Sequence, residues 1–134
     1  MNIQSQIQWG RDLVAGLLSE VAVVAVLGLI IAAHRFLIAP GRTNGEYQAF
    51  VDRASYYVAP TTAGVAVFLA ALWAARTMNA GFIVNGVLVG VIGVVLTLAF
   101  FFAAKPEHRL MYGVSFALRI LGGYLGGLAA QHLA

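Results

Sequence analysis

The sequence has no cysteine, three prolines and very little charge. Without cysteine the chain can form no disulfide, thiolate metal site or thiol nucleophile, and its redox compartment is unconstrained. Charged residues are 10% of the 134 residues, against about a quarter in soluble domains, so lipid is the expected solvent. The eight Lys and Arg residues are scattered against five acids, with no basic run and no aromatic-basic interleaving. No nucleic-acid partner is expected from that pattern.

Catalytic signatures are missing as well. No nucleophile elbow, metalloprotease helix, phosphate loop or intramembrane Asp pair occurs, and no enzyme activity is expected. His34, His108 and His132 all fall at predicted helix ends, whereas haem or metal ligation in a bundle needs His on facing helices at matched depth. No cofactor and no metal is expected. The stretch Met1–Gly10 carries no cationic residue and the apolar run after it is longer than a signal core, so the first apolar segment is expected to stay as an anchor.

What is present is apolar sequence: 61% hydrophobic residues and a mean hydropathy of +0.88. A membrane-spanning helix takes roughly 20 residues, and four apolar segments of that order are found, at 13–33, 61–78, 80–104 and 110–133. The predicted fold class is an all-α integral membrane protein, a single-domain four-transmembrane-helix bundle. Pro60 is read as opening the second span, where its missing N–H is harmless.

The long connection between the first two spans has a helical period of its own. Tyr47, Phe50, Val51, Ala54 and Val58 share one face, and Glu46, Gln48, Asp52, Arg53 and Ser55 the other. This predicts one interfacial amphipathic helix over 46–58, lying flat in the headgroup region. The alternative is an extension of the second span packed on its neighbours.

Orientation follows from cationic residues near span ends. Arg35, Arg42, Arg53, Lys105 and Arg109 lie in the first and third connections, while Arg11 and Arg76 lie in the N-terminal segment and second connection. Both termini are therefore expected on the non-cytoplasmic side, in a bacterial inner membrane. Trp9 and Trp73 then mark the outer interface, and Tyr47, Tyr56, Tyr57 and Tyr112 the inner one. Arg35, Arg42, Arg53, Lys105 and Arg109 are also the candidates for contact with membrane-lipid headgroups.

Two charges lie inside spans, and such residues are functional-site candidates by default. Glu20 is expected about 11 Å below the start of its span and Arg119 about 14 Å above its own, at 1.5 Å per residue. In a core roughly 30 Å thick their depths differ by about 5 Å, which long side chains can bridge. The pair is read first as structural, with a proton or cation site at Glu20 and an anion site at Arg119 as the alternatives. Ser19 and Ser115 are candidate supporting hydroxyls, and Asn85 is a candidate for a hydrogen bond across a helix interface.

Small residues mark the packing faces. The fourth span carries Gly113, Ala117, Gly122, Gly123, Gly126 and Gly127, and the third carries Gly86, Gly90 and Gly93. Such stripes let helix backbones approach closely. Glycines on two adjacent faces of the fourth span leave one face for a second protomer, so a homo-oligomer or larger membrane complex is expected.

The string Leu17-Leu18-Ser19-Glu20-Val21, with a Gly-rich fourth span, resembles the small multidrug-resistance transporters in architecture. The long first connection, Arg119 and the lack of an aromatic residue near the centre of the third span depart from that pattern. No internal repeat is found. The leading functional expectation is a non-catalytic oligomeric scaffold or subunit of a membrane complex; the alternative is a small ion- or proton-coupled transporter or channel using Glu20, Arg119 or both.

Overall fold

The computed structural model describes residues 7–134, so residues 1–6 of the Met1–Gly10 stretch lie outside the described residues. Four helices follow in order: α1 (Trp9–Ala33), α2 (Asn44–Ala75), α3 (Phe82–Ala103) and α4 (Arg109–Leu133). All four are long and apolar enough to cross a membrane. A π-helical turn, His34–Ile38, extends α1 and is closed by the Ala39 N–H donating to the His34 carbonyl at 2.8 Å. A short 3₁₀ turn, Pro106–His108, leads into α4.

The helices run alternately up and down. The start of α1 meets the end of α2, where the Arg11 guanidinium donates to the Trp73 carbonyl at 2.9 Å and lies 4.6 Å from the Trp73 ring centre. It also meets the start of α3, where the Gln8 N–H donates to Asn85 Oδ1 at 2.9 Å. The end of α4 packs there too, with Gly127 against Phe82. At the opposite end His34 stacks on Phe50, their ring centres 3.6 Å apart, and Tyr56 lies beside His108. Trp9 and Trp73 thus share one end of the bundle with Arg11, and Arg35, Arg42, Arg53, Lys105 and Arg109 share the other, all five exposed.

The segment 46–58 is not a separate interfacial helix. It forms the first half of α2, which continues unbroken through Pro60 to Ala75. The reason lies at the two ends of the segment. Thr43 and Glu46 form a capping box, with the Glu46 N–H donating to Thr43 Oγ1 at 3.3 Å and the Thr43 N–H donating to Glu46 Oε2 at 3.2 Å, which sets the helix start. At the other end Pro60 is a buried helix-interior residue that cannot donate to the Tyr56 carbonyl, a loss that a spanning helix tolerates.

The interior is built from small residues. Ala15, Ala63, Val67, Ala71, Ala74 and Val89 are fully buried, whereas Leu29, Phe36, Phe102 and Leu110 are exposed. This inverts the order of a water-soluble bundle and matches helix association in lipid, where close backbone packing replaces apolar burial. A Cβ on Gly122 would lie 2.5 Å from the Gly64 carbonyl oxygen, and one on Gly126 2.5 Å from that of Phe68, both on α2. A Cβ on Gly127 would lie 2.5 Å from the Phe82 oxygen, and Gly123 abuts the Gly86 carbonyl, both on α3. From the α3 side, Gly90 faces the Arg119 carbonyl oxygen, 2.5 Å from where its Cβ would stand.

Both glycine faces of α4 are therefore used inside the bundle. The sequence argument that left one of them for a second protomer is corrected by this packing. Gly113 is not a packing residue either: nothing lies within 4 Å of the position its Cβ would take, and Ala117 is exposed beside it. Those two sit on the outward face of α4, away from the helices it contacts.

This packing predicts contrasting effects for two single-methyl additions. Gly123→Ala should lower stability by about 1–3 kcal/mol by overpacking, while Gly113→Ala should hold or raise it, Ala being the better helix former by up to about 1 kcal/mol. Thermal unfolding of both variants in detergent checks it; equal melting points would contradict the assigned faces.

Candidate functional site

Glu20 and Arg119 meet across the bundle. Arg119 Nε lies 2.9 Å from Glu20 Oε1, and Nη2 donates to Oε2 at 3.1 Å, a two-pronged pair. Arg119 Nη1 donates to Ser115 Oγ, one helical turn away on the same helix. Arg119 is 4% exposed, whereas the Glu20 side chain keeps 19% of its surface.

The guanidinium reaches α1 from α4 because α3 makes room. A Cβ on Gly93 would stand 3.2 Å from Glu20 Oε1 and 3.3 Å from Arg119 Cδ, so the third helix passes the ion pair with no side chain in the way. Gly93 thus acts as a spacer for the charge pair, a role the small-residue pattern alone did not assign.

Ser19 has a different role from the one expected. Its hydroxyl donates to the Gly16 carbonyl at 2.7 Å within its own helix, as serines in spans commonly do, and it gives Glu20 nothing. Asn85 is fully buried at the other end of the bundle. Its Nδ2 donates to the Gly81 carbonyl at 2.7 Å while its Oδ1 receives the Gln8 N–H. It ties the start of α3 to the start of α1, well away from the charge pair.

The pair closes one end of a cavity of about 460 Å³. From Glu20 the α1 wall continues through Val23, Val24 and Leu27. The α2 wall is Asp52, Ser55, Tyr56, Ala59 and Pro60, and the α4 wall is Ser115, Tyr112 and Met111, with His108 before it. Thr97 and Phe100 come from α3. The cavity therefore runs from Arg119 towards His108, eleven residues and about 16 Å along a helix rise. It occupies the end of the bundle that holds Arg35, Arg42, Arg53, Lys105 and Arg109.

Sequence reasoning missed most of this wall. Asp52, Ser55, Tyr56 and Ala59 fall at i, i+3, i+4 and i+7, a helical stripe that was legible, but Asp52 and Ser55 were read as the water-facing side of an interfacial helix, Tyr56 as part of the inner aromatic belt, and Ala59 lay beyond that helix. Pro60, in the same wall, leaves the Tyr56 carbonyl without its helical donor, a backbone acceptor beside the cavity. The five headgroup candidates line none of it.

One further charge was not among the residues singled out from the sequence. Asp12 is 0% exposed, and neither carboxylate oxygen has a hydrogen-bond partner among the described residues. Its spacing to Ala15, Gly16, Ser19 and Val23, all buried, is the signal that puts it on the inner face of α1.

Breaking a buried pair costs about 3–5 kcal/mol because the surviving charge is stranded, while replacing both members is often neutral. Arg119→Leu should therefore lower folded yield and melting temperature, and Glu20→Gln with Arg119→Leu should recover most of the loss. Ser19→Ala should change neither. A double variant no more stable than Arg119→Leu would show that the two residues do not act as a pair.

No protein-family profile, curated protein or solved structure matches the chain, so the reading of its function rests on this geometry.

Proposed function

We propose that this protein is a small membrane transporter that binds a polar solute in the cavity ending at Glu20 and Arg119 and couples its passage to a proton. The observation that carries the reading is the placement of the charge pair: it forms the wall of a cavity lined also by Asp52, Ser55, Tyr56, Thr97, His108 and Tyr112. A purely structural ion pair gains nothing from such access, since water and solutes weaken it. Few convergent polar groups in a largely apolar pocket of a few hundred Å³ are what a solute site needs.

The competing reading is a non-catalytic scaffold or complex subunit, drawn from the Gly-rich packing faces, the short connections and the lack of a recognisable active site. Gly122, Gly123, Gly126 and Gly127 are taken up within the bundle and do not speak for a second protomer. We place the cavity end of the bundle at the cytoplasmic side, on the cationic bias of the connections there, with both termini non-cytoplasmic.

Two measurements test this. Protein reconstituted in liposomes with an entrapped pH dye should show proton movement dependent on solute, when small anions, cations and neutral solutes are presented one at a time. Glu20→Gln and Arg119→Leu, where folded, should abolish it. Traces matching protein-free liposomes for every solute would return the scaffold reading. For orientation, cysteines placed at Asn44 and Glu107 should be labelled from the cytoplasmic side and one at Asn79 from the opposite side; the reverse pattern would turn the protein over.

A further inference from the structure

We propose that the solute is a small monocarboxylate with an apolar body, that its carboxylate binds Arg119 in place of Glu20, and that it binds together with one proton held by Glu20. This inference rests on the transporter reading and names its substrate class and coupling.

The argument begins with an asymmetry between the two charges. Arg cannot be deprotonated in a protein, whereas Glu can take a proton. Arg119 is 4% exposed, and a buried cation without an anion is strongly destabilising. At every stage, then, some anion must stand beside Arg119. In the structure Glu20 supplies it, with contacts of 2.9 and 3.1 Å.

Glu20 is also the member of the pair with residual exposure, 19% of its side chain. When it takes a proton, the guanidinium needs a replacement anion, and an incoming carboxylate provides one. The site then holds one positive and one negative charge before and after, and the exchange leaves no stranded charge. A cationic solute fails the same account: drawn to Glu20, it would face Arg119 at close range and deprive it of its counter-ion.

The donors fit. The Nε and Nη2 N–H groups that hold the Glu20 carboxylate form a two-pronged fork, and this fork receives the incoming carboxylate once Glu20 takes its proton, while Nη1 stays on Ser115. The apolar part of the wall, Val23, Val24, Leu27, Phe100 and Met111, suits a hydrocarbon or aromatic body.

The remaining ionisable groups limit the charge of that body. Asp52 and Tyr56 face the cavity from α2, His108 from the 3₁₀ turn and Tyr112 from α4, while α3 offers no ionisable group. The Asp52 carboxylate, held by Gln48 Nε2 at 3.0 Å, opposes a second negative charge at the far end of the solute. A monocarboxylate is accepted and a dicarboxylate disfavoured.

Isothermal titration of the full chain in detergent micelles tests this, with benzoate as probe and benzylammonium and terephthalate as its cationic and dianionic counterparts. Benzoate binding should take up about one proton, read from buffers of different ionisation enthalpy, and its affinity should fall about tenfold per unit rise in pH. Glu20→Gln should bind benzoate with an affinity constant within twofold from pH 6 to 8, and benzoate should raise that variant's melting temperature. Arg119→Leu should lose binding.

Benzoate binding without proton uptake, tighter binding of benzylammonium, or no benzoate binding to the parent and Glu20→Gln proteins would overturn the proposal. The two readings fail separately. Proton flux driven only by cations keeps the transporter and removes the carboxylate. Benzoate binding with proton uptake but no liposome flux keeps the carboxylate site and removes the transporter.

Discussion

The fold depends on α4 lying in backbone contact with two helices at once. Gly122 and Gly126 meet α2, Gly123 and Gly127 meet α3, and in each case a Cβ would collide with a carbonyl oxygen or the backbone beside it. At that separation no large side chain fits between the helices, so the buried positions of α2 from Ala63 onwards are Ala63, Val67, Ala71, Ala74 and Ala75. Large apolar residues are driven outwards, to where lipid tails receive them at no cost.

The same contact accounts for the cavity. Glycine-to-backbone approaches run along α4 from Gly127 to the Arg119 carbonyl and stop there. Beyond that point α4 presents Ser115, Tyr112 and Met111, opposite Tyr56 and Phe100, and side chains of that size hold helices apart. Arg119 stands at the boundary: its backbone belongs to the tightly packed half, against Gly90, and its side chain to the open half. Gly93 then lets the guanidinium pass α3 to reach Glu20.

Depth and small-residue spacing made much of this legible. The rise per residue placed Glu20 and Arg119 within reach of each other, because a charge inside a span has few partners and the distance along a helix is fixed. Glycines at intervals of four identified close-packing faces, yet could not say which neighbour each face meets, and Gly113, which lies on neither row of α4, faces outwards. Pro60 misled for a related reason. A proline reads as a boundary when its neighbours are unknown, whereas Thr43 and Glu46 had already started a helix that the loss of one hydrogen bond does not end. Asp12 was hidden by its place at the edge of an apolar run, where a charge usually reaches water.

Stability alone does not call for an ion pair at this depth. Two apolar side chains of similar volume would fill the space between α1 and α4 at equal or lower free energy, and the glycine contacts already specify which helices touch. A pair serving as a register lock would be best placed in the glycine-packed half, sealed from solutes. Glu20 and Arg119 instead lie where that half ends, both lining the cavity, with Glu20 the more exposed of the two. On the proposed reading a proton and an anion would reach the pair from the same side, and Arg119 would stay paired whichever carboxylate stood beside it.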